Sequence, residues 1–125
     1  NPPNRERGIP VVDDQLMWLR VADDLTPEPV HHEAGLAYLS DSTLIDHVLL
    51  PHGMRWQDQN FDGTSLDHVM WFHQKTRADQ WLLFEQSVEW TGSGRGLASG
   101  RFYDQDGQLV ASCAQEGLMR WRDNV

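Results

Sequence analysis

Three polar residues stand in segments that otherwise look built for burial: Asp41, Ser65 and Gln115. Asp41 falls in the apolar stripe of the best helical pattern in the chain. Ser65 opens the strand-like run SLDHVMWFH, and Gln115 lies near the end of QLVASCAQEGLMR. A carboxylate, a hydroxyl and a carboxamide from three distant elements are suited to holding a water molecule. No GxSxG elbow is present to activate the serine. The chemistry implied is hydrolysis by direct attack of water rather than through a covalent acyl-enzyme. Plainer readings stand beside this one. Asp41 also suits a cap or turn on a helix that ends near Ser40, and Gln115 also suits a hydrogen-bonded core amide.

Other combinations are weaker. Asp67 and His68 are adjacent on a strand-like run, so their side chains point to opposite faces and form no dyad with each other. His68 and His73 read as hydrogen-bonded structural histidines. HHEAGL resembles a zinc helix only in part, because the position four after His32 is Leu36, so no metal is expected there. GSGRG (92–96) leads into a strand rather than a helix, which excludes a dinucleotide fingerprint and a P-loop and favours a hairpin turn. Arg95 could meet a phosphate at that turn. Cys113 sits among small apolar residues, where a thiol behaves as a buried hydrophobe. The tryptophans read as core or interface residues, some of them lining an acyl pocket.

These residues need elements to position them. Residues 1–14, rich in Pro, Arg and Asp, read as a linker or irregular lead-in, and 15–125 as one domain. QLMWLRVA (15–22) reads as a strand covered on both faces. The spacing predicts a helix from Val30 to about Leu50, with Val30, Ala34, Ala37, Tyr38, Leu44 and Ile45 on one face and Pro51 and Gly53 as its stop. A loop over 51–63 is anchored by Trp56 and Phe61. The runs 65–74, 81–90, 95–103 and 108–121 read as strands, with Asp106-Gly107 a hairpin signal between the last two. A strand, a long helix and an antiparallel meander predict an α+β domain with the helix lying on the sheet.

Composition bounds the rest. At 125 residues the chain can bury a real core. A net charge of −9 argues against general nucleic-acid or anionic-membrane binding. No apolar run reaches membrane-spanning length, and no signal-peptide pattern is present. One cysteine excludes an internal disulfide and fits a reducing, cytoplasmic setting. The chain opens NPPNRERGIP without an initiator Met, which reads as a trimmed, processed or excised piece of something longer.

The segments LAYLSDSTLI (36–45), LPHG (50–53), SLDHVMWFH (65–73), WLLFEQ (81–86), RGLASGRFYDQDGQLVAS (95–112) and AQEGLMR (114–120) resemble, in that order, the TesB-type acyl-CoA thioesterase II family of hotdog-fold proteins. The resemblance implies a hotdog, a long central helix wrapped by a curved antiparallel sheet. It places this chain at the C-terminal half of a tandem of two hotdogs. It implies hydrolysis of fatty acyl-CoA to a free fatty acid and CoA, with no cofactor. The family's helix Asp, its Thr or Ser before the L/I-D-H signature, and the Gln of QEG together bind the attacking water. They land on Asp41, Ser65 and Gln115. Ser65 where the family often has Thr keeps the hydroxyl and loses a methyl. Residues for the CoA phosphates do not map cleanly. The expected partners are acyl-CoA and either the N-terminal hotdog half or a second copy of the chain. Two other classes stay open: a non-catalytic acyl-binding or assembly half, and a hotdog hydratase or dehydratase. The latter wants D-x-N-P-x-H, whereas Asp41 is followed by STLIDH.

Overall fold

The computed structural model describes residues 13–41, 44–52 and 61–121. Residues 1–12 of the lead-in expected over 1–14, and the expectations for Gly53 and Trp56, lie outside them. Six strands and one α-helix follow in order. They are β1 (Gln15–Leu19), α1 (Pro29–Ser40), a 3₁₀ helix (Leu44–His52), β2 (Phe61–Ser65), β3 (Val69–Phe72), β4 (Leu82–Gly92), β5 (Arg95–Tyr103) and β6 (Leu109–Trp121). All strand pairs are antiparallel, in the order β1-β4-β5-β6, with both β2 and β3 pairing along β6.

The meander is built by two hairpins whose turn residues meet the backbone demand. Ser93 and Gly94 join β4 to β5 with φ of 51° and 75°, the positive-φ pair of a two-residue turn. GSGRG is therefore a hairpin turn, and Arg95 pairs there with Glu116 at 3.3 Å. At the second turn, Asp104 Oδ1 accepts the N–H groups of Asp106 and Gln108, both at 2.9 Å, and Gly107 takes φ 80°.

The core lies between the concave face of the sheet and the two helical segments. Leu36 and Leu39 of α1 and Leu44, Val48 and Leu49 of the 3₁₀ helix pack with Leu82, Phe84, Ala98, Phe102, Val110, Ala111 and Cys113. The Phe84 and Phe102 rings stack with centroids 4.1 Å apart. Gly100 makes room for this stack, since a Cβ there would fall 2.3 Å from the Phe84 ring.

Expectations for the helix, for two strands and for the tryptophans are corrected. The helix ends at Ser40, not near Leu50, and a 3₁₀ helix with Pro51 inside it takes over from Leu44. Its buried residues are His32, Leu36, Leu39 and Ser40, whereas Val30 and Tyr38 are exposed. The sequence period was drawn through a break in the helix, and that rotated the expected face. The strand expected over 65–74 shortens to β3, residues 66–68 are outside any strand, and β2 begins at Phe61 inside the loop expected over 51–63. β1 is covered on one face only, leaving Leu16 and Trp18 exposed, and Trp71, Trp81 and Trp90 are also exposed. Trp18, Trp71, Trp81 and Trp90 therefore lie outside the core, which leaves the interface part of their reading, and the core is filled mainly by aliphatic and phenylalanine side chains.

Candidate active site

Three elements converge beside the C-terminal end of α1. Asp41 caps that helix, with helical dihedrals (φ −84°, ψ −9°) and its N–H bonded to Tyr38 O at 3.3 Å. Ser65 ends β2 opposite Gly117 of β6. Gln115 lies on β6 opposite Ala98, on the inward face it shares with Ala111, Cys113 and Met119.

The break between β2 and β3 decides which side chains reach this point. On an uninterrupted strand Ser65 and His68, three residues apart, would point to opposite faces. Residues 66–68 leave the ladder instead, and Leu66 N–H still reaches Glu116 O at 2.8 Å. The Asp67 carboxylate accepts the Glu116 N–H at 2.9 Å, satisfying a backbone donor of β6. The chain therefore re-enters with shifted parity, and Ser65 and His68 both face Gln115 and Asp41. Asp67 and His68 form no dyad, as expected, but His68 meets a different aspartate.

Gln115 links the three expected residues. Its Nε2 donates to Asp41 Oδ1 at 2.9 Å and to Ser65 Oγ at 2.7 Å. The amide is 1% exposed, while the Asp41 side chain is 63% exposed, so a buried donor holds an open carboxylate. A core amide would spend its bonds on the backbone. This one spends both donors on the two other residues, and its Oε1 is buried without a partner among the described residues. Asp41 is thus both the helix cap and a member of the cluster.

Sequence reasoning missed the second role of His68. Its Nε2 lies 2.7 Å from Ser40 Oγ, the structural bond expected of it. Ser40 Oγ also donates to Ala37 O at 2.8 Å, so it receives the Nε2 proton and leaves Nδ1 as the acceptor nitrogen. That nitrogen is buried, has no hydrogen-bond partner among the described residues, and sits 3.8 Å from Asp41 Oδ1. The adjacency of Asp67 and His68 was the available signal, but its meaning depended on the parity shift.

Asp41 can accept a proton at a solvent-open oxygen while Gln115 fixes its other oxygen. Ser65, whose oxygen already receives the amide N–H, directs its own proton outward as a donor. Acceptor and donor together can orient one water for attack on an electrophilic carbon. The nearest thiol is unsuited to that attack. Burial pushes Cys113, two residues along the same face, up to about 12, which keeps it protonated near neutral pH. Among the described residues no three His, Cys, Asp or Glu side chains cluster to hold a metal.

Known proteins resemble this chain in sequence and in fold. The Acyl-CoA thioesterase family profile matches residues 3–118. Acyl-coenzyme A thioesterase 8 of Homo sapiens is 41% identical over 89% of this chain and 34% of its own length. Acyl-CoA thioesterase 2 of Haemophilus influenzae is 32% identical over 98% of this chain and 42% of its own. The crystal structure of an acyl-CoA thioesterase II from Mycobacterium marinum superposes with a TM-score of 0.81 at 38% identity, covering 100% of this chain and 46% of that one. A Streptococcus mutans protein solved with acetyl-CoA bound shares the fold, with a TM-score of 0.69 at 16% identity. The chain thus spans between about a third and a half of the length of these thioesterases. Its own architecture, one helix against a curved antiparallel sheet, is the hotdog.

Proposed function

The chain belongs to the acyl-CoA thioesterase family, and from that premise we propose that it hydrolyses fatty acyl-CoA to a free fatty acid and CoA by direct attack of water. The observation that carries this reading is the double hydrogen bond from Gln115 Nε2 to Asp41 and Ser65, which joins three separate elements at one point. Water held by the Ser65 hydroxyl and Asp41 loses a proton to the carboxylate as its oxygen attacks the thioester carbonyl. The tetrahedral intermediate then expels the CoA thiolate, which takes up a proton. Gln115 acts by fixing the carboxylate and the hydroxyl. The test is thiol release from acyl-CoAs by the intact protein and by this chain side by side. Asp41→Asn, nearly isosteric but unable to take the proton, should lose about 10²-fold or more in turnover. A variant that keeps wild-type turnover overturns the role of Asp41.

One observation favours a second reading of this chain in isolation, as a binding or assembly half. The Asp41 side chain is 63% exposed, whereas a working base gains from a site that excludes water. β3 is hydrogen-bonded along β6 and bears the exposed side chains of Val69, Trp71 and Phe72, while Val30 and Tyr38 of α1 are exposed as well. An edge of this kind invites another strand. We propose that an N-terminal hotdog half or a second copy of this chain covers it and closes the site. Light scattering with mass spectrometry is the check, and a stable monomer with no second polypeptide overturns it. No helix among the described residues is long and apolar enough to cross a membrane, and the single thiol suits the proposed cytoplasmic setting.

A further inference from the structure

His68 and Ser40 stand beside the candidate active site, and the water-attack scheme gives neither a task. α1 stops at Ser40, so Ala37 O is among the last carbonyls of the helix, which lack a partner within it. The fully buried Ser40 hydroxyl supplies one, donating to Ala37 O at 2.8 Å. Its oxygen, 2.7 Å from His68 Nε2, is then left to accept. The single proton of a neutral imidazole is thereby held on Nε2. Nδ1 keeps a bare lone pair, buried and without a donor among the described residues. Asp41 Oδ1, 3.8 Å away, is an acceptor as well.

Two acceptors facing each other beside a buried gap are costly to keep. A purely structural histidine here would gain by the opposite tautomer, with Nδ1–H donating to the carboxylate and Nε2 accepting from Ser40. The Ala37 carbonyl opposes that tautomer, because it claims the Ser40 proton. The consequence falls on Asp41. Its Oδ1 receives an N–H from Gln115 at 2.9 Å and none from His68, and the imidazole turns the negative end of its dipole toward it. The lone pair opposes charge on Asp41, and a proton taken up by Asp41 removes the opposition. A neutral imidazole protonated on Nε2 thus favours the step in which water gives up its proton.

On the thioesterase reading above, we infer that Ser40 and His68 are positioning residues for the base: Ser40 holds the imidazole proton away from Asp41, and a second proton, on Nδ1, switches the base off. Protonation turns the bare acceptor into a charged donor. The Asp41 side chain is 63% exposed, which leaves room for the roughly 1 Å shift to hydrogen-bond length. The ion pair so formed ties up the charge that otherwise takes the proton of the water. Among the described residues, Asp41 is the charged group that faces the ring from α1. β6 presents the Gln115 amide, and β3 the thioether of Met70, 3.5 Å from Ser40 Oγ. Asp67 turns to the Glu116 N–H and Glu116 to Arg95, so both of those carboxylates point elsewhere.

The experiment follows kcat for an acyl-CoA against pH in the intact protein and its His68→Gln and Ser40→Ala variants. Glutamine keeps an amide N–H for Ser40 and places nothing at the Nδ1 position. In the wild type the Asp41–His68 pair takes up its first proton as a unit, so the acid limb of kcat should move to lower pH in His68→Gln. The plateau kcat should fall about tenfold, the scale of one coupling between neighbouring groups. Ser40→Ala frees the ring proton to move to Nδ1, so it should lower kcat when His68 is present and add little in the His68→Gln background. An acid limb that stays in place in His68→Gln overturns the switch, and equal Ser40→Ala losses in both backgrounds overturn the part given to Ser40. Nitrogen-15 NMR of the imidazole rings, with His68 identified by its loss in His68→Gln, reads the tautomer without turnover. Protonated Nε2 and bare Nδ1 are expected near neutral pH, with Nδ1 gaining its proton over the range in which kcat falls. An Nδ1–H tautomer near neutral pH refutes the arrangement, whatever the variants do. If the wild type hydrolyses no acyl-CoA, the thioesterase reading falls, and the NMR still decides the state of His68.

Discussion

Replacing Gln115 with methionine separates function from folding. The unbranched side chain keeps length and volume but removes the donor that holds Asp41 at 2.9 Å and Ser65 at 2.7 Å. Each lost hydrogen bond costs about 0.5–1.5 kcal/mol net. Both acceptors are reachable by solvent, since Asp41 is 63% exposed and Ser65 is also exposed, so water replaces the amide and the cost lies at the low end. Against it stands Gln115 Oε1, which is buried without a partner among the described residues. Removing such a group recovers about 1–3 kcal/mol. The terms oppose each other, and the folded state should stay within about 2 kcal/mol of the wild type, a Tm shift of no more than roughly 8 °C. Turnover should behave differently. The carboxylate and the hydroxyl lose the group that fixes their separation, and about tenfold or more of kcat should go with it. The assay is thermal unfolding and acyl-CoA hydrolysis on one preparation. Destabilisation beyond about 3 kcal/mol would make Gln115 a structural amide. A stable variant with wild-type turnover would remove it from the water site.

Four further outcomes follow. Ser65→Thr should retain most turnover and Ser65→Ala should lose part of it, since each keeps or removes one contact to the water; a threonine variant less active than the alanine one contradicts the role of the hydroxyl. His68→Ala should lower kcat by up to about tenfold, because the imidazole held by Ser40 packs beside the Asp41 carboxylate and its loss lets that carboxylate shift, with KM little changed; equal losses in folding and activity would make it purely structural. The Cys113 thiol, raised by burial to about 12, should resist thiol reagents in the native state near neutral pH, and Cys113→Ala should keep its turnover. Asp79 is held at about 2, below its ordinary 3.8, first by the Arg77 guanidinium and then by the Leu25 N–H. The native state therefore releases this proton more readily than the unfolded one, and the stabilisation, complete above about pH 4, is lost as pH falls toward 2. Urea midpoints should fall less steeply across that window in Asp79→Asn than in the wild type.

Local chemistry made much of this protein legible. The hairpins at Ser93-Gly94 and Asp106-Gly107 follow from residues that tolerate positive φ, and β5 occupies the expected run 95–103. Asp41, Ser65 and Gln115 were visible as polar residues in apolar surroundings, because burying a polar group demands a compensating partner. Their types limited what they could do together. The protonated state of Cys113 was likewise implied by its apolar neighbours.

Everything that depended on phase was decided by the tertiary structure. The end of α1 at Ser40 turns Asp41 from a stripe residue into a cap, and a single sequence period cannot register a break within its own window. Residues 66–68 shift the strand parity, which brings His68 to Asp41. Strand parity is a discrete property, so one displaced residue exchanges the faces of all that follow. The bond between Ser40 and His68 joins the end of α1 to the segment before β3. Sequence fixes which groups exist and what each costs to bury; which of them share a point in space is set by packing contacts between segments as distant as Asp41 and Gln115.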